Sequence, residues 1–546
     1  MSGWQQHLII APILIPLVAG ALLLFFDERE RVVKAMISVV SCLALAAVAI
    51  ALFRLANNGG GEGGFEGVYL LGNWPAPFGI VLVVDRLSAL MLVLASILAI
   101  PALVFALARW HAAGAHFHTL FQLLLMGLNG AFLTGDLFNL FVFFEVMLAA
   151  SYGLLMHGSG SMRVKAGMHY IAVNLAAALC FLIGVSAIYG SAGTLNMADL
   201  AVRIGEIEGE RRMLLEAGAG ILGIVFLIKA GMWPLNFWLP GAYSAATAPV
   251  AAIFAIMSKV GIYVILRLSL LVFGQGESAG LGLNVLLYGG MATIAFGTIG
   301  VLASQALGRL ASYSVLVSSG TLLAVLGLSN GQVTAGALFY MVSSTMTICA
   351  FFMLIELVER GQDAGASVLA VTMEAYGDAD EEEREVEVGI TMPGTIAVLG
   401  ICFAACAILL SGLPPLSGFV AKFAMLTGMI GVNTQEGPIA ASVWWIVGLL
   451  ILSGLAALIS MTRAGIRTFW ASMEGTVPRV LVMEMAPVML LIALTLTLTI
   501  KAGPAMTYME ETVRNLQQPA TYIDAVINAR RAGVAEASGP DGGGGL

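Results

Sequence analysis

The chain has 546 residues, of which 59% are hydrophobic and only 11% charged, and its formal net charge is −8. A soluble protein carries roughly 25% charged residues, so this composition excludes a soluble globular enzyme. Apolar runs of the roughly 18 residues needed to cross a bilayer core of about 30 Å recur along the chain, which predicts an all-α polytopic membrane protein. We expect no nucleic-acid partner.

Fourteen membrane-spanning helices are predicted from these runs, whose continuous hydrophobicity argues against a β-barrel. In chain order they cover residues 7–26, 33–54, 83–108, 116–134, 137–156, 167–190, 215–233, 247–268, 282–303, 309–330, 333–358, 391–430, 441–463 and 481–501. No lysine or arginine precedes the first run, so we expect a retained helix rather than a cleaved leader. An excess of lysine and arginine in the loops of one side predicts that both termini lie outside.

Ionisable side chains inside these spans are few. Glu145 lies in the fifth span, Lys229 in the seventh, Lys259 in the eighth and Lys422 in the twelfth, whereas Asp136 and Glu356 lie nearer span ends. Each charge at bilayer depth costs about 2.5–3.5 kcal/mol on insertion scales, so a sequence rarely keeps four of them without partners or a task. The structural alternative is static salt bridges, or lysines that reach the membrane interface.

Two of the spans combine a lysine with a proline break. The pairs are Lys229 with Pro234 in IVFLIKAGMWPLNFWLP (224–240), and Lys422 with Pro414 and Pro415 of SGLPPLSG (411–418). Proline removes a backbone donor and frees carbonyl groups, and irregular backbone at membrane depth is tolerated where protein covers it or water reaches it. This combination favours an ion pathway over structural pairing.

The two breaks lie five spans apart, which indicates a duplicated unit of the kind from which many transporters are built. We therefore predict three N-terminal helices in residues 1–115, one repeat in 116–268, a second repeat in 269–465, and a final helix with a polar tail in 466–546. The second repeat contains an acidic stretch that we expect to form an inner loop at 360–390.

Three motifs resemble a known protein family. They are TGDLFNLFVFFEVMLAASYGLL (134–155), KAGMWPLNFWLP (229–240) and SGLPPLSGFVAKF (411–423). They are similar to the antiporter-like subunits shared by Mrp-type (Pha) cation/proton antiporters and the respiratory NADH dehydrogenase complex. Within that superfamily the chain most resembles the D subunits of Mrp-type antiporters. The resemblance covers about residues 80–465.

The resemblance implies a fold, an activity and a set of residues. The fold is two inverted five-helix repeats, with broken helices seven and twelve, around a polar axis through the membrane. Glu145 and Lys229 are the essential glutamate–lysine pair, Lys259 the central lysine and Lys422 the terminal lysine of a proton route. The protein is then a secondary transporter rather than an enzyme, with no cofactor or metal. It exchanges internal Na⁺, or K⁺ or Li⁺, for external protons.

The same resemblance implies its surroundings. The chain is expected to work in the lipid of a prokaryotic plasma membrane, in a hetero-oligomeric complex with other Mrp-type subunits. Two alternatives stay open, a proton-pumping subunit of a respiratory NADH dehydrogenase or related hydrogenase complex, and a passive scaffold for other antiporter subunits.

The second repeat departs from the family in its polar residues. Many relatives have a histidine in the eighth or eleventh span, but every histidine here lies at or before His169. The eleventh span offers hydroxyl groups instead, those of Tyr340, Ser343, Ser344, Thr345 and Thr347. Either protons cross the second repeat through hydroxyl groups and water, or that half of the protein conducts in a different way.

Overall fold

A computed structural model describes residues 6–58, 67–375, 394–436, 439–469 and 480–529, which form helices except for one small hairpin and the connecting segments. The inner loop predicted at 360–390 is wrong in its first part, because the helix that begins at Gly331 continues through Ala375. The acidic stretch at 378–388 and the glycine-rich end of the tail lie outside the described ranges.

The described helices are α1 (Ala11–Leu23), α2 (Arg31–Asn58), α3 (Arg86–Ala108), α4 (Phe117–Leu133), α5 (Leu137–Leu155), α6 (Ser161–Ala192), α7 (Met197–Arg203), α8 (Gly209–Ala230), α9 (Leu239–Ala245), α10 (Ala248–Leu271), α11 (Leu283–Ala303), α12 (Leu307–Leu326), α13 (Gly331–Ala375), α14 (Gly394–Ser411), α15 (Ser417–Glu436), α16 (Ala441–Phe469), α17 (Val482–Ile500), α18 (Ala502–Leu516) and α19 (Pro519–Ile527). Twelve helices in the described ranges are long and apolar enough to cross a membrane, and α1, α4 and the first part of α15 are shorter apolar helices. Because α14 and α15 are the two halves of the predicted twelfth span, these helices account for the fourteen predicted spans.

Both predicted breaks are present, but glycine rather than proline ends each preceding helix. Helix α8 ends at Ala230, and Gly231 follows with a φ of +74°. Helix α14 ends at Ser411, and Gly412 follows with a φ of +75°. Glycine enters this left-handed region without the steric penalty of a side chain, so it is the usual residue at a helix C-terminus. The prolines lie in the linkers 231–238 and 412–416.

The helix ends at both breaks have partners for their carbonyl groups. The N–H of Gly231 donates to the carbonyl of Ile228 at 3.1 Å, and the N–H of Met232 donates to that of Leu227 at 3.0 Å. At the second break, the N–H groups of Gly412 and Leu413 both donate to the carbonyl of Ile408, at 3.0 and 3.1 Å. The breaks are thus ordinary glycine-terminated helix ends placed inside membrane spans.

The most deeply buried helices are α10 and the first part of α13, and they form the centre of the bundle. Every residue in the membrane-spanning window of each of these helices is buried. Helix α10 carries Lys259, and α13 carries the hydroxyl groups noted in the eleventh predicted span. Lys259 and these hydroxyl groups therefore lie in the interior of the protein rather than on its surface.

Two features outside the spans were not predicted. A short antiparallel hairpin, β1 (Gly67–Leu70) with β2 (Val81–Val84), precedes α3. After the last span, the segment predicted as a polar tail begins with α18 and α19. The Tyr508 hydroxyl of α18 donates to the Arg86 carbonyl at 2.9 Å, and its ring stacks on Phe53 at 4.5 Å between centroids. These helices therefore tie the C-terminal region to the first helices of the chain.

Candidate functional site

At the first break, Lys229 is buried in the last turn of α8 and donates to a neutral amide. Its ammonium lies 2.7 Å from the Asn174 side-chain oxygen on α6, and only 7% of the lysine is exposed. The ammonium also lies 6.0 Å from the centre of the Phe144 ring. Helix α10 packs closely here through Gly261, where a Cβ atom would lie 3.2 Å from that of Lys229 and 2.8 Å from the Phe226 carbonyl. The lysine is therefore held from several sides.

Glu145 faces the same region from α5 but does not contact the lysine. It is half-buried, and in the described part of the chain it forms no salt bridge with Lys229. The two groups are nevertheless close enough to interact electrostatically. The structure thus brings the predicted pair into one region, with the lysine turned toward Asn174 rather than toward the carboxylate.

Lys259 lies at the centre of the bundle, where it is completely buried and held by hydroxyl groups. Its ammonium donates to the Ser318 hydroxyl at 2.9 Å and to the Ser319 hydroxyl at 3.3 Å, both on α12. The Ser318 hydroxyl also shares a hydrogen bond of 3.0 Å with Ser344 of α13. A continuous hydrogen-bonded path therefore runs from the α10 lysine through α12 to α13.

The path continues toward the second break through a small cavity. Ser343, next to Ser344, shares a hydrogen bond of 2.7 Å with Ser417, the first residue of α15. Both Ser343 and Ser344 line a cavity of about 20 Å³, together with Ser318 and Tyr340. A water molecule needs roughly 10–15 Å³ of such space and several polar partners, so the cavity has room for one.

Lys422 lies across the second break from the end of α14. Its ammonium donates to the Ser411 carbonyl at 2.9 Å, and Ser411 is the last residue of that helix. A cation at a helix C-terminus is favoured because unpaired carbonyl groups carry partial negative charge there. Helix α16 approaches closely at Gly454, where a Cβ atom would lie 3.3 Å from the Lys422 ammonium. The lysine is therefore enclosed by the break and by α16.

Asp136, predicted near a span end, and Thr347, one of the hydroxyl groups of the eleventh predicted span, have local structural contacts. Asp136 caps α5 by accepting a hydrogen bond of 2.9 Å from the backbone N–H of Asn139, and burial raises the pKa of its carboxyl group above the ordinary value. Thr347 donates to the Ser343 carbonyl of its own helix at 2.8 Å. Tyr340, Ser343 and Ser344, in contrast, lie at the cavity.

Sequence reasoning missed the partners of the three lysines. Asn174, Ser318 and the Ser411 carbonyl are the acceptors, and each is an uncharged oxygen. The side-chain signals were present as a single asparagine within the apolar run of α6 and as the pair Ser318–Ser319 within α12. A backbone carbonyl carries no residue-type signal, so the partner of Lys422 could be found only in three dimensions.

Known proteins match nearly the whole chain. The family model described as NADH:quinone oxidoreductase/Mrp antiporter, transmembrane region, matches residues 134–447. The D subunit of a probable K⁺/H⁺ antiporter from Rhizobium meliloti (strain 1021) is 64% identical, covering 98% of this chain and 100% of the relative. The D subunit of the Na⁺/H⁺ antiporter from Alkalihalophilus pseudofirmus is 35% identical, covering 96% and 100%. A chain in the structure of the Mrp complex from Dietzia sp. DQ12-45-1b superposes with a TM-score of 0.79 at 25% identity, covering 96% and 100%.

Proposed function

Since this chain belongs to the NADH:quinone oxidoreductase/Mrp antiporter family, among the D subunits of the Mrp type, we propose that it carries protons through Glu145 and the lysines of its membrane spans. Proton movement is coupled, within a complex of several Mrp-type subunits, to the transport of a monovalent cation in the opposite direction. The chain is a transporter subunit rather than a catalytic enzyme. The comparisons support the family and the multisubunit setting, and the residue-level route is our proposal.

The observation that carries the proposal is that Lys229, Lys259 and Lys422 each donate to an uncharged oxygen. Removing one charge from a buried ion pair strands the other and costs about 3–5 kcal/mol. A hydroxyl, amide or carbonyl oxygen accepts a hydrogen bond from an ammonium or from a neutral amine, so it loses little when the lysine releases its proton. This arrangement suits lysines that change protonation state during turnover.

The route begins at Glu145 and Lys229 and ends at Lys422. Movement of Lys229 toward or away from the Glu145 carboxylate changes how strongly the lysine holds its proton, because an opposite charge favours the charged form. The serine path carries the proton from Lys259 across α12 and α13, with a water in the small cavity completing the transfer to the second break. Lys422 then releases it at the end of α14.

The cation is expected to be K⁺. The family resemblance implies Na⁺, with K⁺ or Li⁺ as alternatives, but the 64% identical relative is named for a K⁺/H⁺ antiporter, whereas the one named for Na⁺ is 35% identical. Both ions should therefore be compared in one assay.

We further propose a location in the plasma membrane with both termini outside. The segments that follow α1, α3 and α5 meet at one face, as alternating spans require. There the His116 N–H donates to Glu28 at 3.3 Å, and His157 forms a hydrogen bond of 2.8 Å with the Trp110 carbonyl. Arg29 and Arg109 lie in the first two of these segments, and Arg163 and Lys165 lie at the start of α6, which follows the third; such residues favour the inner side.

The test is cation-driven proton flux in membrane vesicles that contain the complete complex, with K⁺ and Na⁺ supplied in turn. Glu145→Ala and Lys229→Ala should each abolish exchange while the complex still assembles. Lys165→Ala removes an exposed lysine from α6 and serves as the matched control, for which exchange should be normal. Exchange without NADH or quinone separates an antiporter from a respiratory proton pump. Normal exchange by Lys229→Ala at the wild-type level of assembly would instead support a scaffold.

A further inference from the structure

Asn174 holds Lys229 with an amide whose orientation is fixed. Its side-chain nitrogen donates to the Tyr170 carbonyl at 2.8 Å, while its side-chain oxygen accepts from Lys229 at 2.7 Å. Turning the amide over would break both bonds and point the nitrogen donors at a cation. The oxygen therefore has to face the lysine.

The residues that support this amide are buried and hydrogen-bonded. Asn174 is 1% exposed and Tyr170 is 2% exposed, so both lie in the protein interior. The Tyr170 hydroxyl shares a hydrogen bond of 2.9 Å with Ser151 of α5, and the Tyr170 ring packs against Trp238 of the first linker at 5.3 Å between centroids. Asn174 is therefore a hydrogen-bond acceptor held in place by the protein interior rather than a polar residue that faces lipid.

We propose that Asn174 is a positioning residue that gives Lys229 a second, uncharged place to rest, so that the lysine alternates between the Glu145 carboxylate and the Asn174 amide. This inference rests on the proposed function, because it matters only if Lys229 changes protonation during turnover. The structure shows the amide-bound position, with Glu145 within electrostatic range but not in contact.

The uncharged character of Asn174 is essential to this role. A carboxylate at the same place would form a buried ion pair and hold the proton on the lysine, whereas an apolar residue would leave the ammonium without an acceptor. The charged group that acts on Lys229 is Glu145 on α5, and α10 packs against the lysine at Gly261. The amide is thus the fixed, uncharged acceptor toward which the lysine can turn when it leaves the carboxylate.

Two nearly isosteric variants test the proposal through the pH dependence of exchange in vesicles containing the whole complex. Asn174→Leu should lower exchange by about tenfold to a hundredfold, the range expected for one hydrogen bond to a charged group, and should move the pH profile to lower pH. Asn174→Asp should also lower exchange but move the profile to higher pH. A purely structural asparagine would not give shifts of opposite sign.

Ser191→Ala is the matched control, because it removes a buried side-chain hydrogen bond, to the Ile188 carbonyl at 2.9 Å, from the same helix and leaves Tyr170 and the Asn174–Lys229 bond in place. Its pH profile should equal that of the wild type. If Asn174→Leu does not assemble, Asn174→Asp, with the same shape as asparagine, decides alone, and an unshifted profile overturns the proposal. Wild-type rate and profile in both Asn174 variants, with Lys229→Ala inactive, would overturn the role of Asn174 and leave the proposed function intact. Normal exchange by Lys229→Ala would overturn the proposed function itself.

Discussion

Gly454→Ala should impair the function of Lys422 although it replaces no ionisable residue. Gly454 lies on α16 against the second break, where an added Cβ would be only 2.6 Å from the Ser411 carbonyl oxygen and 3.3 Å from the Lys422 ammonium. These two atoms form the hydrogen bond that holds the lysine at the end of α14. One methyl group would therefore push on both the donor and the acceptor of that bond.

The size of the effect follows from the distances. Ordinary contacts of a Cβ begin at 3.4 Å, so the Ser411 carbonyl or α16 must move by about 0.8 Å in a tightly packed region. Overpacking of this kind costs roughly 1–3 kcal/mol. Misplacing a reacting group by about 1 Å can lower a rate by about a hundredfold. We expect the variant to assemble with reduced thermal stability and to lose between roughly tenfold and a hundredfold of its proton flux.

A matched control lies on the same helix. A Cβ at Gly448 would meet no atom of the chain within 4 Å, so Gly448→Ala should keep full flux and match or exceed the wild-type melting temperature. Cation-driven proton flux and thermal unfolding of the purified complex measure both variants. Wild-type flux in Gly454→Ala would show that the contact between Lys422 and the Ser411 carbonyl is dispensable, and the exit step at the second break would have to be abandoned.

Three other variants each test a single contact. Lys422→Arg keeps the charge but cannot release a proton in a usable pH range, so its flux should be nearly as low as that of Lys422→Ala; near-normal flux would make this lysine an anchor. Asp85→Asn breaks the buried ion pair in which Nη2 of Arg267 donates to the Asp85 carboxylate at 2.9 Å. It should lower the free energy of unfolding by about 3–5 kcal/mol, as measured by thermal unfolding of the complex. Trp110→Phe keeps an aromatic ring but removes the indole N–H that donates to Glu356 at 2.7 Å, so unfolding should be easier by about 1–3 kcal/mol, and unchanged stability would count against that bond.

The charged residues of the site were predictable because their residue type alone carries the signal. A lysine within an apolar span is costly wherever it points, so Lys229, Lys259 and Lys422 stand out among the apolar residues that surround them in the sequence. Serine and asparagine are cheaper in a membrane helix and can bond to their own backbone, so Asn174 and Ser318 do not stand out in the same way. Which hydroxyl groups meet across helices depends on how the helices rotate and pack.

The positions of helix ends were predicted only in part from residue type. Proline predicted both breaks, but the helices end earlier, because Gly231 and Gly412 can adopt the left-handed conformation that closes a helix. Helix α18 lies in the segment predicted as a polar tail, although its apolar residues Met509, Val513 and Leu516 recur at helical spacing. The four-residue strands of the hairpin are too short for a reliable alternating pattern.

We expect the two halves of the proposed route to have different tasks, because the three lysines have different surroundings. Lys229 has both a carboxylate and an amide within reach, so its hold on a proton can be changed by a small movement of one side chain. Lys259 and Lys422 are held by hydroxyl and carbonyl oxygens, and in the described part of the chain no salt bridge joins either of them to a carboxylate. These uncharged partners hold neither protonation state strongly, so Lys259 and Lys422 are suited to accepting a proton and releasing it again. Control of the exchange cycle should therefore lie in the first half, and variants of Asn174 should change its pH dependence, whereas variants of Ser318 should change only its rate.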